Sequence, residues 1–201
     1  MTTDQAQSIA RASERGAATR TALLASAREV FLSQGYAQAG ITDIVTRAGA
    51  SVGSLYHHFS GKADLYRALF DELHEDTGRR TRQAVRSARE RGASDPRALF
   101  LIGARAYLDC CVRQRELGLL FARGDGPPGF DLVMRGRLAE WVGKNTEFFA
   151  RSGEPLGQAA AVVTTGALML AVAEISLSED AAQARRLADG VIEVLSRLDF
   201  S

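Results

Sequence analysis

Apolar residues recur along this chain with a helical period, and strict apolar/polar alternation of β-branched and aromatic residues is missing, so the pattern predicts helices and no strand. The first strong stripe is Leu23, Leu24, Ala27, Val30 and Phe31, on a helix running from about Ala17 to Gln34 and stopped at Gly35. Two short helices follow. One covers Ile41 to Ala48 and ends at Gly49; the other covers Ser51 to Phe59, with Ser51 placed as its N-cap. After the break at Ser60-Gly61, Lys62 opens a longer helix that carries Leu65, Leu69, Phe70 and Leu73 inward and turns polar from Asp76 to Arg91. That polar half reads as a solvated connector between two lobes. Asp95-Pro96 is a cap followed by proline at the first helical position, and it starts a helix reaching about Gln114. Helices over Glu116–Ala122, Phe130–Arg151, Pro155–Leu177 and Asp180–Leu198 complete an all-α fold of about nine helices. The loop Arg123 to Gly129 should close one edge of the second lobe.

This order implies a frayed N-terminal arm over residues 1–16, a three-helix head over 17–62 and a helical body over 63–201. The segment from Leu156 to Ala173 approaches the roughly 20 apolar residues of a membrane span. Gln158, Thr164 and Thr165 interrupt it and no basic flank orients it, so it reads not as a span but as a helix covered on most sides, by its own domain and by a partner. Met1 to Arg15 is polar, unlike a signal peptide or a lipid anchor.

Composition changes this picture little. Of the 201 residues, 46% are hydrophobic and 24% charged, which excludes wholesale disorder, and a net charge of +1 leaves no polybasic anchor. Residues 1–62 hold six basic and four acidic groups, a weak excess. Arg11, Arg15 and Arg20 are candidates for an arm reaching a nucleic-acid groove, or for an ordinary solvated face. Cys110 and Cys111 are adjacent, which strains any disulfide between them, and they read as reduced, buried thiols of a cytoplasmic protein.

The informative stretch is Ile41 to Phe59. Two short helices joined through Gly49-Ala50-Ser51 have the spacing of a helix-turn-helix. Ile44, Val45, Ala48, Val52, Leu55 and Phe59 would pack its corner, leaving Ser51, Ser54, His57 and His58 outward with Tyr56 at the edge. Small hydroxyls near the start of a recognition helix can approach phosphates or base edges. A tyrosine hydroxyl can reach a phosphate, and Lys62 opens the next helix where free backbone amides favour one too.

Gly35-Tyr36, Asp43-Ile44, Ala48-Gly49-Ala50-Ser51, Gly53-Ser54-Leu55-Tyr56-His57-His58-Phe59, Lys62 and Leu65 follow one another in an order that resembles the TetR family of bacterial transcriptional regulators, over about Arg20 to Leu65. The resemblance implies a DNA-binding head joined by the fourth helix to a ligand-binding and dimerisation body. Its DNA-contacting positions fall on Thr42, Ser51, Val52, Ser54, Tyr56, His57 and Lys62. Two positions depart from the family pattern. Gly40 stands where Ser or Thr usually opens the second helix, and Val52 where a polar residue is common.

Other motifs carry less. Gly49-Ala50-Ser51-Val52-Gly53 has the letters of a hydrolase elbow without its strand, and Gly124 to Gly129 those of a dinucleotide loop with two of its amides removed by Pro127 and Pro128. His57-His58 lacks further ligands for a metal. No catalytic residue, metal site or cofactor is therefore expected. In the body, Tyr107, Trp141 and Phe148 are candidate pocket lining. Arg105, Asp109, Glu140, Asn145 and Thr165 are polar groups that need partners, a role a ligand could fill. Leu168, Val172 and Ile175, with Val191, Val194, Leu195 and Leu198, form stripes on the last two helices suited to a two-fold four-helix seam. The resulting expectation is a homodimeric, ligand-responsive repressor. It would bind a palindromic double-stranded DNA operator, respond to a small apolar or amphipathic effector and have no membrane partner. A head that docks a protein, or an enzyme, are the alternatives.

Overall fold

The computed structural model describes residues 3–146, 148–149 and 156–198. Among them the chain forms nine α-helices and no strand: α1 Thr3–Gln38, α2 Ile41–Ala48, α3 Val52–His58, α4 Lys62–Glu90, α5 Pro96–Arg113, α6 Arg115–Ala122, α7 Phe130–Thr146, α8 Leu156–Leu177 and α9 Ala181–Arg197. The all-α expectation holds. Differences lie at the ends. The backbone is helical from Thr3, where fraying up to residue 16 was expected, and nothing between Thr3 and Ala17 except Gly16 opposes a helix. Helix α7 is described over Phe130–Thr146; Arg151 and Pro155 lie outside the described residues, as do Met1, Thr2 and the side chain of Arg11.

The chain divides into two units. The first comprises residues 1–72 with 125–127, and the second 73–124 with 128–201. The division falls after Glu72 and not after residue 62, because Leu65, Tyr66, Leu69 and Phe70 of the first turns of α4 are buried in the head. They join Leu23, Leu24, Ala27, Phe31, Ile44 and Leu55. Phe31, Tyr36 and Tyr66 meet at ring distances of 5.1–5.9 Å, tilted or edge-on, which adds to the burial of their area. Gly35 adopts φ +76 and breaks α1, as a left-handed backbone requires. A Cβ there would stand 3.0 Å from Asp125 Oδ2, so Asp125–Pro127 packs with the first unit and does not close an edge of the second.

In the second unit the core gathers Phe100, Leu108, Phe149, Ala161, Ile175 and Leu195 from α5, α8, α9 and the turn after α7. Asp95 caps α5 by accepting from the Ala98 N–H at 2.8 Å, and Asp180 caps α9 by accepting from the Gln183 N–H at 2.7 Å. Helix α8 is long and apolar enough to cross a membrane. Its inner face is packed by α5, α6, α7 and α9, where small residues allow close approach: a Cβ on Gly118 of α6 would lie 2.6 Å from Ser176 Oγ. The hydroxyls that interrupt α8 are satisfied. Thr164 donates to the Ala160 carbonyl at 2.7 Å, and Thr165 accepts from Asn145 Nδ2 at 2.8 Å.

The chain's own helices cover only part of α8. One face is enclosed; the other leaves Val162, Val163, Leu170 and Leu177 between 51% and 66% exposed. The seam residues shift with it. Leu168, Ile175 and Leu195 are enclosed by the chain's own helices, so they cannot meet a partner, and Val172 and Val191 are half-buried against the same core. Val194 and Leu198 are exposed as expected. Both faces of α8 are apolar, so the sequence carries no signal for which of them the chain's own helices enclose.

Candidate nucleic-acid interface and body cavity

The head's geometry follows from its stops and caps. Gly49, at φ 62 and ψ 29, ends α2 by donating its N–H to the Thr46 carbonyl (3.2 Å), while the Ala50 N–H reaches Val45 (2.9 Å). This paired closure turns the chain sharply. Ser51 then opens α3, its hydroxyl accepting from the Ser54 N–H at 3.0 Å. Leu55 and Phe59 are buried and fix the helix on the corner formed by Ile44 and Val45. Exposed Arg47 pairs with Glu29, joining α2 to α1 with the modest strength of a solvated ion pair.

Of the seven DNA-contact candidates, Thr42, Ser51, Val52, Tyr56 and His57 are exposed, and Ser54 is half-buried. Val52 is 45% exposed, so it belongs to the outer face and not to the packed corner. Tyr56 is 55% exposed and its hydroxyl is free to approach a backbone phosphate. His57 and His58 differ in exposure although their rings meet edge-on at 4.9 Å: His57 is exposed while His58 is half-buried near Gly16.

Lys62 differs from expectation. Its ammonium donates to the carbonyls of Tyr36 (2.8 Å) and Ala37 (3.1 Å) and lies 4.6 Å from the centre of the Tyr36 ring. The end of α1 beyond Gly35 presents unpaired carbonyls and a negative dipole end, and a lysine satisfies both. Lys62 thus ties α4 to α1, with one N–H remaining. Arg20 is likewise committed to the head: its guanidinium lies 5.1 Å from the Phe59 ring centre and 3.7 Å from Glu72, so it is no part of a reaching arm. At Gly40 no side chain caps α2, and a Cβ would lie 3.2 Å from Asp43 Oδ2; the acidic Asp43 occupies the first turn instead.

The second unit contains a cavity of about 860 Å³. Tyr107, Trp141 and Phe148, which the sequence singled out, all border it. Tyr107 and Trp141 meet edge-on at 4.2 Å. Burial pushes the Tyr107 hydroxyl well above its ordinary range, helped by its hydrogen bond with Cys111, and pushes the Cys111 thiol up to about 12. The other polar candidates find partners in the protein: Arg105 pairs with Asp189, Asp109 with Arg185, and Glu140 with Arg137.

The opposite wall was not foreseen. The polar half of α4, read as a connector, contributes Arg79, Arg82, Arg86 and Arg89, and α7 adds Lys144. The spacing of the four arginines is helical and could have signalled one shared face. Asp76, below this row, holds Arg79 and Arg80 at 2.6 and 2.8 Å, and those hydrogen bonds keep its carboxyl below the usual range.

Comparison with known proteins places this architecture. Residues 23–69 match the family model for bacterial regulatory proteins of the tetR family. Over 67 residues the chain is 37% identical to the HTH-type transcriptional regulator TtgR of Pseudomonas putida, covering 33% of this chain and 32% of that one. Over 90 residues it is 37% identical to the HTH-type transcriptional activator FasR of Mycolicibacterium smegmatis, covering 45% and 39%. The matched region thus spans about a third of the length of these curated relatives. A crystal structure of a TetR-family regulator from Pectobacterium atrosepticum superposes with a TM-score of 0.64 at 27% identity, covering 92% of this chain and 94% of that one. The helix-turn-helix, with its stops, cap and outward face, lies within the matched segment, and over residues 23–69 the chain is similar to the TetR family of bacterial transcriptional regulators.

Proposed function

We propose that the chain is a DNA-binding transcriptional regulator that works as a homodimer on a palindromic operator and represses until a small apolar or amphipathic effector releases it. The observation that carries this reading is the outer face of α3. Val52, Tyr56 and His57 stand exposed on a helix held from behind by Leu55 and Phe59, at the spacing that lets a recognition helix enter the major groove. Ser51 keeps a hydroxyl proton to donate while it caps the helix. Two such heads related by a two-fold axis read half-sites roughly 34 Å, or a small multiple, apart.

Dimerisation is supported by the apolar stripe of Val162, Val163 and Leu170 on α8 with Val194 and Leu198 on α9. A contiguous exposed apolar face of this kind marks an association surface. An effector site is supported by the cavity against Tyr107, Trp141 and Phe148.

The test is fluorescence anisotropy of the purified chain on DNA from its own upstream region at two salt concentrations. Binding to one palindromic segment, weakening steeply with salt, is expected. Equal binding to unrelated duplexes refutes the operator reading. Leu170→Asp should convert the dimer to a monomer in light scattering and abolish cooperative operator binding; a dimer that persists removes α8 from the interface. In a promoter reporter, transcription should rise when the gene is deleted.

A further inference from the structure

We infer that the body cavity takes an amphiphile with an anionic head, a carboxylate or a phosphate, and an apolar tail. The inference rests on the reading of that cavity as an effector site and names the class of molecule that fits it.

The two walls differ in kind. On one side stand Phe100, Tyr107, Trp141, Phe148 and Leu168, with Gly103 and Ala104 between them. Two of the polar groups on this side are already used. The Tyr107 hydroxyl is engaged with Cys111, and the Asn145 amide donates to Thr165 at 2.8 Å. This floor therefore offers a ligand apolar surface, and a hydrocarbon or aromatic body suits it. On the other side Arg79, Arg82, Arg86 and Arg89 run along α4, and Lys144 comes from α7. Among the described residues no aspartate or glutamate lines the cavity. In a chain with 25 basic and 24 acidic residues, five cations with no acid among the described lining residues is a local departure from balance.

Protein partners answer only part of that charge. Arg79 is held by Asp76, and Arg86 lies 3.9 Å from Glu90. Among the described residues Arg82, Arg89 and Lys144 form no ion pair. Like charges three and four residues apart on a helix repel, so the row on α4 is destabilising until an anion sits against it. A guanidinium fork matches carboxylate and phosphate oxygens in two parallel hydrogen bonds, which a neutral hydroxyl cannot reproduce. The cations are exposed at the opening while the aromatic floor is half-buried or buried, so the head of the ligand stays near water and the tail goes inward. A volume of about 860 Å³ lies toward the upper end of the roughly 300–1,000 Å³ of small-molecule sites, enough for a chain of a dozen carbons with its head.

Trp141 is the sole tryptophan of the chain and borders the cavity, so its emission reports binding without a label. The full-length protein, free of DNA, is titrated below micellar concentrations with dodecanoate, dodecyl phosphate, dodecanol and dodecyltrimethylammonium. At least one anion should shift Trp141 emission saturably and bind about tenfold or more tightly than dodecanol, with the cation weakest and added salt eroding the difference. Whichever anion leads identifies the head as carboxylate or phosphate. The double variant Arg82→Gln with Arg89→Gln should bring dodecanoate and dodecyl phosphate down to the affinity of dodecanol while dodecanol binding stays as it was and the melting temperature, relieved of two like charges, does not fall. Dodecanol binding as tightly as both anions overturns the proposal. So does a preference for the cation, silence from all four probes, or an anion preference that survives in the double variant. DNA binding needs no ligand and is measured separately. Its loss would sink the regulator reading and leave a measured anion preference standing.

Discussion

The head fills its interior, whereas the body leaves space. In the first unit Phe31, Tyr36 and Tyr66 close against one another, and Leu23, Ile44, Leu55 and Leu65 are fully buried. In the second unit, aromatic residues on α5 and α7 face a basic row across about 860 Å³. A surface that must hold hydroxyls and imidazoles at fixed positions against a duplex benefits from a rigid, dense backing. A site that must admit a molecule cannot be filled by its own side chains.

The sharpest test of this contrast is a pair of truncations. Leu55→Ala removes a fully buried side chain at the centre of the helix-turn-helix and should cost about 2–5 kcal/mol, abolishing DNA binding at ordinary temperatures. Trp141→Ala, at the edge of space that already exists, should lower the melting temperature less. Equal losses by calorimetry would mean that the body is packed as tightly as the head.

Next in size is Lys62→Met. Losing two charge-assisted hydrogen bonds to α1 should cost about 1.5–3 kcal/mol of stability and weaken binding to every DNA sequence. Because the ammonium is spent on carbonyls, the salt slope of binding should stay nearly unchanged. A drop of about one unit would instead show that it reaches a phosphate in the complex.

Tyr56→Phe is expected to leave stability alone, since the ring is largely exposed, and to weaken DNA binding about fivefold through one lost hydrogen bond. Unchanged affinity would remove the Tyr56 hydroxyl from the contact face.

The smallest effect at neutral pH concerns Cys111. Its thiol is raised to about 12 in the folded chain, against an ordinary value near 9. Folding favours the neutral form, so this contribution is complete below about pH 9 and is lost as pH climbs toward 12. Denaturation midpoints should fall across that window more steeply in the wild type than in Cys111→Ala. Parallel curves would refute the shift.

The head was legible because its signals are local. Gly35, Gly49, Ser51 and the Ser60-Gly61 break each fix one turn from one or two residues, and the structure places a stop or cap at each. Lys62 escaped because its partners lie on α1, far away in sequence. The body was harder for the same reason. The three aromatic candidates do border the cavity, yet its basic wall comes from a stretch whose polarity resembled that of a solvated helix. The buried side of α8 was not legible because a helix apolar on both faces carries no register, and only packing against α5, α6, α7 and α9 decides which side is left over.

Gly103 sets how near α5 can come to α4. A single carbon added there would press on Val85 Cγ2 at 3.2 Å and meet Thr81 Cγ2 in ordinary contact at 3.5 Å, and all three residues border the cavity. The gauge of the chamber thus hangs on one missing methyl. Gly103→Ala would act as a spacer, widening or tilting the basic wall without altering any charge on it, and so offers a handle on which molecules fit that is separate from the handle on which molecules are attracted.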